Sequence, residues 1–388
     1  ESFFSGLTTL FPEVKLRASY GVNGTLPSGY YDYMGLSSYG QDYNSQPGIV
    51  ETQFYNNNLK WETNYNANFG IDVNVKNIVR FSLELYNRLT KDLLMNEPTS
   101  LTTGFSSILS NIGEMRNRGF EFELMSSNIS NKNFSWTTNF NISHNKNEIL
   151  VLDGIQTSII SGTQIRMVGM PYHTFYLREF AGVDPADGMT WFYTNTVDAN
   201  GNYVKEKTKD LNTANAIPLQ SPYPKVLGGL VNNFRIHFVD LGFTFTYSLG
   251  GYSYDSAAGK LDKEGTTNGL DANIPIYYRD RWRKPGDESR YGIYIANNKW
   301  DLADGYSNSR RIHSTDHLRL KNISLGITVP SKYTDYAKIE RARIFASASN
   351  IWTVAKWKMY DPEVGNDGVM GWQTPPMKTL TFGLDLTF

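Results

Sequence analysis

Apolar and polar positions alternate one by one along much of this chain, over runs too long for an ordinary sheet. Trp61, Thr63, Tyr65, Ala67, Phe69, Ile71, Val73 and Val75 fall on one face, and Glu62, Asn64, Asn66, Asn68, Gly70, Asp72 and Asn74 on the other, because successive side chains of an extended backbone point to opposite sides. Such a strand exceeds the roughly 5–6 residues usual in a water-soluble domain. A tight turn at Lys76-Asn77-Ile78 leads to a partner strand with Phe81, Leu83, Leu85 and Leu89 outward and Ser82, Glu84, Tyr86 and Arg88 inward, which predicts a hairpin. The pattern returns at Phe120, Phe122 and Leu124 against Glu121 and Glu123, and at Phe134, Trp136, Thr138, Phe140 and Ile142 against Ser135, Thr137, Asn139, Asn141 and Ser143. It returns again at Leu241, Phe243, Phe245, Tyr247 and Leu249 against Gly242, Thr244, Thr246 and Ser248. Between Leu320 and Ile323 the phase slips, which predicts a β-bulge near Asn322. Arg343 to Ile351 carries small residues on both faces and is ambiguous. The chain stops on Leu380, Phe382, Leu384, Leu386 and Phe388, opposed by Thr381, Gly383, Asp385 and Thr387. One flank suits lipid and the other suits water, as in a transmembrane barrel strand.

Connection lengths carry a second, independent signal. Short turns around 76–78, 130–133, 185–188, 235–237 and 330–340 alternate with long polar segments, and outer-membrane barrels have short periplasmic turns and long extracellular loops. With Phe388 at the periplasmic end, the long segments fall outside the cell, provided that Tyr172–Val183 and Met189–Thr196 are two strands joined by the Pro-Ala-Asp-Gly turn. The expected fold class is therefore all-β, an antiparallel transmembrane β-barrel of about twelve strands with long extracellular loops. The longest loop, from Gly251 to Asp316, holds Ile274-Pro-Ile-Tyr-Tyr-Arg-Asp-Arg-Trp282, which predicts a short helix after its proline.

Composition changes this picture little. At 40% hydrophobic residues and a mean hydropathy of -0.42, no run is long and apolar enough for a spanning helix of roughly 20 residues. Low hydropathy is no argument against a barrel, since only every second residue meets lipid. With no cysteine, and 5 histidines at no ligand-like spacing, neither disulfides nor a metal site are expected, and no cofactor is implied. A net charge of -1 offers no field for nucleic acid. The chain opens at Glu1 with neither an initiator Met nor a signal peptide, and is expected to be a piece of a longer polypeptide.

Several groups invite a sharper reading. Glu121, Glu123, Asp72 and Asp385 are read as lumen-facing carboxylates rather than an acid–base pair, since neither a nucleophile nor a partnered histidine accompanies them; no enzyme is expected. Asp198-Ala-Asn-Gly-Asn202 has its glycine two residues too early for an EF-hand and is read as a turn. Gly24 to Gly29 lacks the strand-to-helix setting of a phosphate loop. Aromatics crowd the upper strand ends: Tyr30, Tyr31, Tyr33, Tyr39 and Tyr43 in one loop, then Trp191 and Tyr193, Tyr252 and Tyr254, and Trp300. Such rings stack on sugars, grip peptides or pack in girdles, and Tyr30, Tyr31, Tyr43, Trp191, Tyr193, Tyr252, Tyr254 and Trp300 are the candidate cargo contacts.

Landmarks along the whole chain, in order, resemble the C-terminal half of the SusC/RagA family of TonB-dependent outer-membrane transporters of Bacteroidetes. The strongest is Asn111-Ile-Gly-Glu-Met-Arg-Asn-Arg-Gly-Phe-Glu-Phe-Glu-Leu124. Others are Leu16-Arg-Ala-Ser-Tyr-Gly21, Asn58-Leu-Lys-Trp-Glu62, Thr90-Lys-Asp-Leu-Leu94, Phe180-Ala-Gly-Val-Asp-Pro185, Arg281-Trp-Arg-Lys-Pro-Gly-Asp287, Leu318-Arg-Leu-Lys-Asn-Ile-Ser-Leu-Gly326 and Tyr360-Asp-Pro-Glu-Val364. Gly326-Ile-Thr-Val-Pro330 departs from the pattern, which more often has an aromatic after the glycine. The resemblance implies a barrel of about twenty-two strands, with the plug, the TonB box and the first strands lying outside this chain, so that residues 1–388 form one C-terminal part. It further implies TonB-dependent import of oligosaccharides or oligopeptides across the outer membrane, beneath a SusD-like lipoprotein lid, and reads Phe382, Leu384, Leu386 and Phe388 as a barrel-assembly signal. A passive porin or structural barrel is the rival reading, and a barrel enzyme a third.

Overall fold

The computed structural model describes residues 10–153, 157–261, 275–294 and 307–388, and its largest element is one ten-stranded antiparallel sheet. Its strands, in chain order, are β1 (Glu13–Thr25), β2 (Glu62–Val75), β3 (Val79–Lys91), β4 (Gly113–Ser130), β5 (Phe134–Leu152), β6 (Val226–Ile236), β7 (Val239–Leu249), β8 (His317–Thr328), β9 (Arg341–Ala355) and β10 (Thr379–Thr387). Each pairs with its sequence neighbour, the connectivity of an up-and-down barrel wall. β1 and β10 each keep one edge without a neighbour among the described residues.

The cross-strand register turns the alternation into two chemically distinct faces. One row reads Val14, Val73, Phe81, Leu124, Phe140, Leu230, Phe245, Leu320, Trp352 from β1 to β9. Its neighbour on the opposite face reads Lys15, Asp72, Ser82, Glu123, Asn141, Gly229, Thr246, Arg319, Thr353. The apolar row begins near the turn end of β1 and finishes near the loop end of β9, the stagger expected of tilted strands curling toward closure. Phe69 and Phe382 both belong to the apolar face, paired in rows with Ala18, Leu85 and Phe120, and with Leu241, Leu325 and Ala346. Polar side chains of the other face bond to each other: Arg17 grips Asp72 at 2.8 Å, and Ser82 donates to the same carboxylate at 2.7 Å. Arg343 forks onto Asp240 at 3.0 and 2.6 Å and lies 3.5 Å from Asp385. No helix among the described residues is long and apolar enough to cross a membrane; the crossing elements are strands.

The bulge expected near Asn322 is present. Lys321 has no partner in either register, and β9 answers with Asn350 in the left-handed region at φ 55. The first hairpin turns on Lys76 and Asn77 at φ 51 and 56, the left-handed pair a two-residue turn needs.

One part of the strand count is corrected. Tyr172–Val183 and Met189–Thr196 do not cross with the sheet; they contribute Thr174–Arg178, Phe180–Val183 and Thr190–Tyr193 to small sheets within the 153–225 connection. Among the described residues the sheet has ten strands rather than about twelve, and the Pro-Ala-Asp-Gly turn sits at the loop end. Parity survives because two strands are lost together. The short connections 76–78, 131–133, 237–238 and 329–340 lie at one end, and 26–61, 92–112, 153–225, 250–316 and 356–378 at the other.

The two clusters of buried hydrophobic residues are built from those loops and not from the sheet. Leu93, Met95, Ile112 and Ile159 form one cluster. Phe175, Leu177 and Tyr254 form another, packed by Leu219, Tyr252, Ile312 and Val369. A wall that faces lipid on one side and water on the other has no interior of its own, so side chains gather where loops fold over its rim.

Candidate functional site

The long connections form a canopy over one end of the sheet, and the motifs that stood out in the sequence meet in pairs to hold it. At the β2–β4 rim, Asn111 exchanges hydrogen bonds with the backbone of Lys60 at 2.8 and 3.0 Å and donates to the Asp92 carbonyl, while Glu62 accepts from the Leu94 amide at 3.0 Å. In the middle of the canopy the Trp282 indole N–H donates to the Pro185 carbonyl at 2.9 Å, and the Gly286 amide reaches that same oxygen at 2.8 Å. Trp282 packs against Gly188, where any Cβ would meet the indole at 2.5 Å and where φ is +75. Asp287 closes the Arg-Trp-Arg-Lys-Pro-Gly-Asp turn by accepting from the Arg283 and Lys284 amides. At the β8 rim, Arg319, only 2% exposed, donates to Asp361 at 2.5 Å and to Glu363 at 3.2 Å, and Lys321 adds a 2.9 Å bridge to Glu363. Sequence reasoning singled these residues out only as parts of landmarks. The signal for Arg319 was a cation on the same face of β8 as Lys321, between Leu318 and Leu320, which requires a partner when buried.

The candidate cargo aromatics fall into three settings. Tyr30, Tyr31 and Tyr43 are exposed, and Tyr30 lines a cleft of about 840 Å³ with Tyr33, Lys60 and Trp61 at the β1–β2 rim. Trp191 and Tyr193 are half-buried, with lysines over their rings: Lys207 Nζ 4.4 Å from the Trp191 centroid and Lys205 Nζ 5.3 Å from that of Tyr193. Lys209 lies 5.6 Å from Trp191 and bridges Asp184 and Asp187, each at 2.6 Å. Its ammonium holds the Asp184 carboxyl below the usual carboxylate range, helped by the Ala186 amide. Tyr252 is half-buried beside the second core cluster, and Tyr254, at 4% exposure, belongs to that cluster, where burial pushes its phenol up. Tyr254 therefore packs the canopy instead of offering a ring face. Trp300 lies outside the described residues.

Two further readings resolve into local chemistry. Asp198 accepts from the Asn200 and Asn202 amides at 2.8 Å and Gly201 takes φ +82, so the stretch is a hairpin tip. The expected helix after Pro275 is a single 3-10 turn, Ile276–Asp280. Among the described residues no cluster of His, Asp and Glu is arranged to hold a metal ion. A second cleft of about 840 Å³ opens where the 356–378 connection folds over β8 and β9, with Arg319, Asn350, Thr353 and Trp357 in its wall. Trp357 stacks on His313 at 3.6 Å between centroids, and burial beside Arg290 lowers the His313 pKa to about 3.

Comparison with known proteins places this architecture. Residues 3–226 match the family described as TonB dependent receptor-like, beta-barrel. A TonB-dependent receptor of Formosa agariphila is 30% identical over 426 residues, covering 97% of this chain and 40% of the relative. The TonB-dependent receptor SusC of Bacteroides thetaiotaomicron is 26% identical, covering 100% and 39%. Among solved structures, the RagAB peptide transporter superposes with a TM-score of 0.83 at 25% identity, over 98% of this chain and 41% of that one. The chain thus spans about 40% of the length of the relatives it matches.

Proposed function

From the premise that this chain belongs to the TonB dependent receptor-like β-barrel family, an outer-membrane family of transporters rather than enzymes, we propose that it supplies ten wall strands and the outer canopy of an active importer. Further strands complete the sheet at the free edges of β1 and β10, because lipid leaves no room for unpaired backbone. The cargo is an oligosaccharide or oligopeptide too large for simple diffusion. A plug within the lumen, a TonB contact on the periplasmic side and a SusD-like lipoprotein over the canopy complete the machine. The likenesses to SusC and to the RagAB peptide transporter support these partners.

The single observation that carries the reading is the two-sided register, nine residues wide and apolar throughout on one face, with interlocked charges on the other. On the loop side, the exposed Tyr30, Tyr31 and Tyr43 and the half-buried Trp191, Tyr193 and Tyr252 are the canopy positions proposed to meet cargo or lid. The test is uptake of labelled peptides and oligosaccharides by cells with and without TonB. Loss of uptake without TonB is expected, and undiminished uptake overturns the proposal in favour of a passive pore.

A further inference from the structure

Lys91, Arg116, Arg118 and Lys146 stand on the apolar face of the wall, just beyond the last aromatic row on the loop side. Register puts Leu85, Phe120 and His144 in that row, Asn87, Arg118 and Lys146 in the next, and Leu89, Arg116 and Glu148 in the one beyond. Lys91 lies on the same face, opposite Thr63. From Phe134 to His144 this face of β5 climbs about 23 Å, at about 3.3 Å per residue and a tilt near 45°. An apolar band is about 25 Å tall, so Arg118 and Lys146 fall where hydrocarbon gives way to headgroups. That height suits them, because an arginine is costly among acyl chains and tolerated at their boundary. Glu114 takes Lys91 at 3.0 Å, and Glu148 takes Lys146 at 3.1 Å. Arg116 and Arg118 have no ion-pair partner among the described residues. Arg116 is half-buried, and Arg118 and Asn87 are exposed.

We propose that Arg116 and Arg118, with Lys146 and Asn87 beside them, bind the phosphorylated headgroup of an outer-leaflet glycolipid, the lipid A portion of lipopolysaccharide. This goes beyond the importer reading, since it concerns the outside of the wall and not the passage; it rests only on which face meets lipid and which end meets the outside. Guanidinium forks match phosphate oxygens in shape and charge. Residues two apart on a strand lie about 6.6 Å from each other and cross-strand partners about 5 Å, so the cationic heads converge within the span of one headgroup. Asn87, in the same row as Arg118 and Lys146, adds an amide for phosphate or sugar oxygens. Below them the face continues through Leu85 and Phe120 to Leu83, Phe122 and Ile142, which gives the acyl chains of the same molecule an apolar surface to lie along. The long connections mark this end of the sheet as the outer one, the side on which the glycolipid lies.

The experiment uses the complete transporter, purified in detergent, stripped of divalent ions with EDTA and titrated with bisphosphorylated hexa-acyl lipid A. Bound lipid is counted by native mass spectrometry. Arg116→Gln and Arg118→Gln together are expected to weaken binding about thirtyfold, the worth of two cations at an anionic surface. Arg88→Gln removes a cation from the opposite face, where Arg88 sits in the row of Asn66 and Asn117, and is expected to leave binding unchanged. Unboiled gel mobility checks that each variant is a folded barrel. Unchanged affinity in the folded double variant overturns the site, and so does an equal loss in Arg88→Gln, which would reduce the effect to net charge. Dephosphorylated lipid A that binds as tightly overturns phosphate recognition, and displacement of lipid A by equimolar phosphatidylglycerol or inorganic phosphate overturns the assignment to a glycolipid. A double variant that loses self-association while keeping its lipid overturns it in favour of a contact between copies of the transporter.

Discussion

Replacing Phe382 with arginine tests the facing of the whole sheet at one position. Phe382 lies mid-strand in β10 and pairs with Ala346 in an apolar row that continues through Leu325 and Leu241 to Phe234 and Trp136. It is 79% exposed, because nothing among the described residues covers it. At about 3.3 Å per residue and a tilt near 45°, six residues back from Phe388 is about 14 Å above the chain end, close to the middle of an apolar band about 25 Å tall. An arginine there costs about 2–4 kcal/mol, or roughly thirtyfold to a thousandfold in the folding equilibrium. Thr381 sits one position away in the polar row, opposite Ser347, so Thr381→Arg keeps its charge in water and is expected to cost under about 1 kcal/mol. The assay is denaturant-titrated folding of the complete transporter into phospholipid vesicles, with Phe382→Ala subtracting the loss of the ring. Equal losses for the two arginines, or a larger loss at Thr381, would refute the two-faced register.

Three further outcomes follow from particular contacts. Trp282→Ala removes the indole from the Pro185 carbonyl and from Gly188; truncating so buried an aromatic costs about 3–5 kcal/mol locally, so limited proteolysis should nick the 153–225 connection well before the sheet unfolds. His313 is held neutral by burial, with its pKa depressed from 6.5 to about 3, so its contribution is intact above about pH 6.5 and is lost as pH falls toward 3, where the opened state takes the proton more readily. Hydrogen exchange across 312–315, corrected for intrinsic rates, should lose protection over that window, and His313→Phe should flatten the dependence. Phe388→Ala is expected to slow assembly of the barrel in cells, measured by the appearance of heat-modifiable protein after pulse labelling; an unchanged rate counts against a terminal assembly signal.

Much of the wall was legible in the linear pattern because a strand exposed to lipid on one side and water on the other obeys a period of two with little interference from tertiary packing. Phe69, Phe122 and Phe382 declare their side by spacing alone, and the slip at Asn322 announced its bulge. Tyr172–Val183 and Met189–Thr196 misled for the converse reason. Within the canopy a short strand is covered on both faces, so Phe175 and Leu177 carry apolar residues in strand-like spacing without ever meeting lipid. Periodicity reports which side is greasy and is silent on what covers it.

The amino-acid sequence by itself thus determined the strand pattern, the ends at which turns and loops fall, and the two chemistries of the wall, since each depends on neighbours along the chain. Only the tertiary structure decided that Tyr254 is a packing residue while Tyr30 is free, that Arg319 belongs to Asp361 and Glu363, and that Arg319, Asn350 and Trp357 share one cleft. The pairing of Arg319 with Asp361 joins residues 42 positions apart, brought together by the register of the sheet and the fold of loops over its rim, and no local pattern encodes that distance.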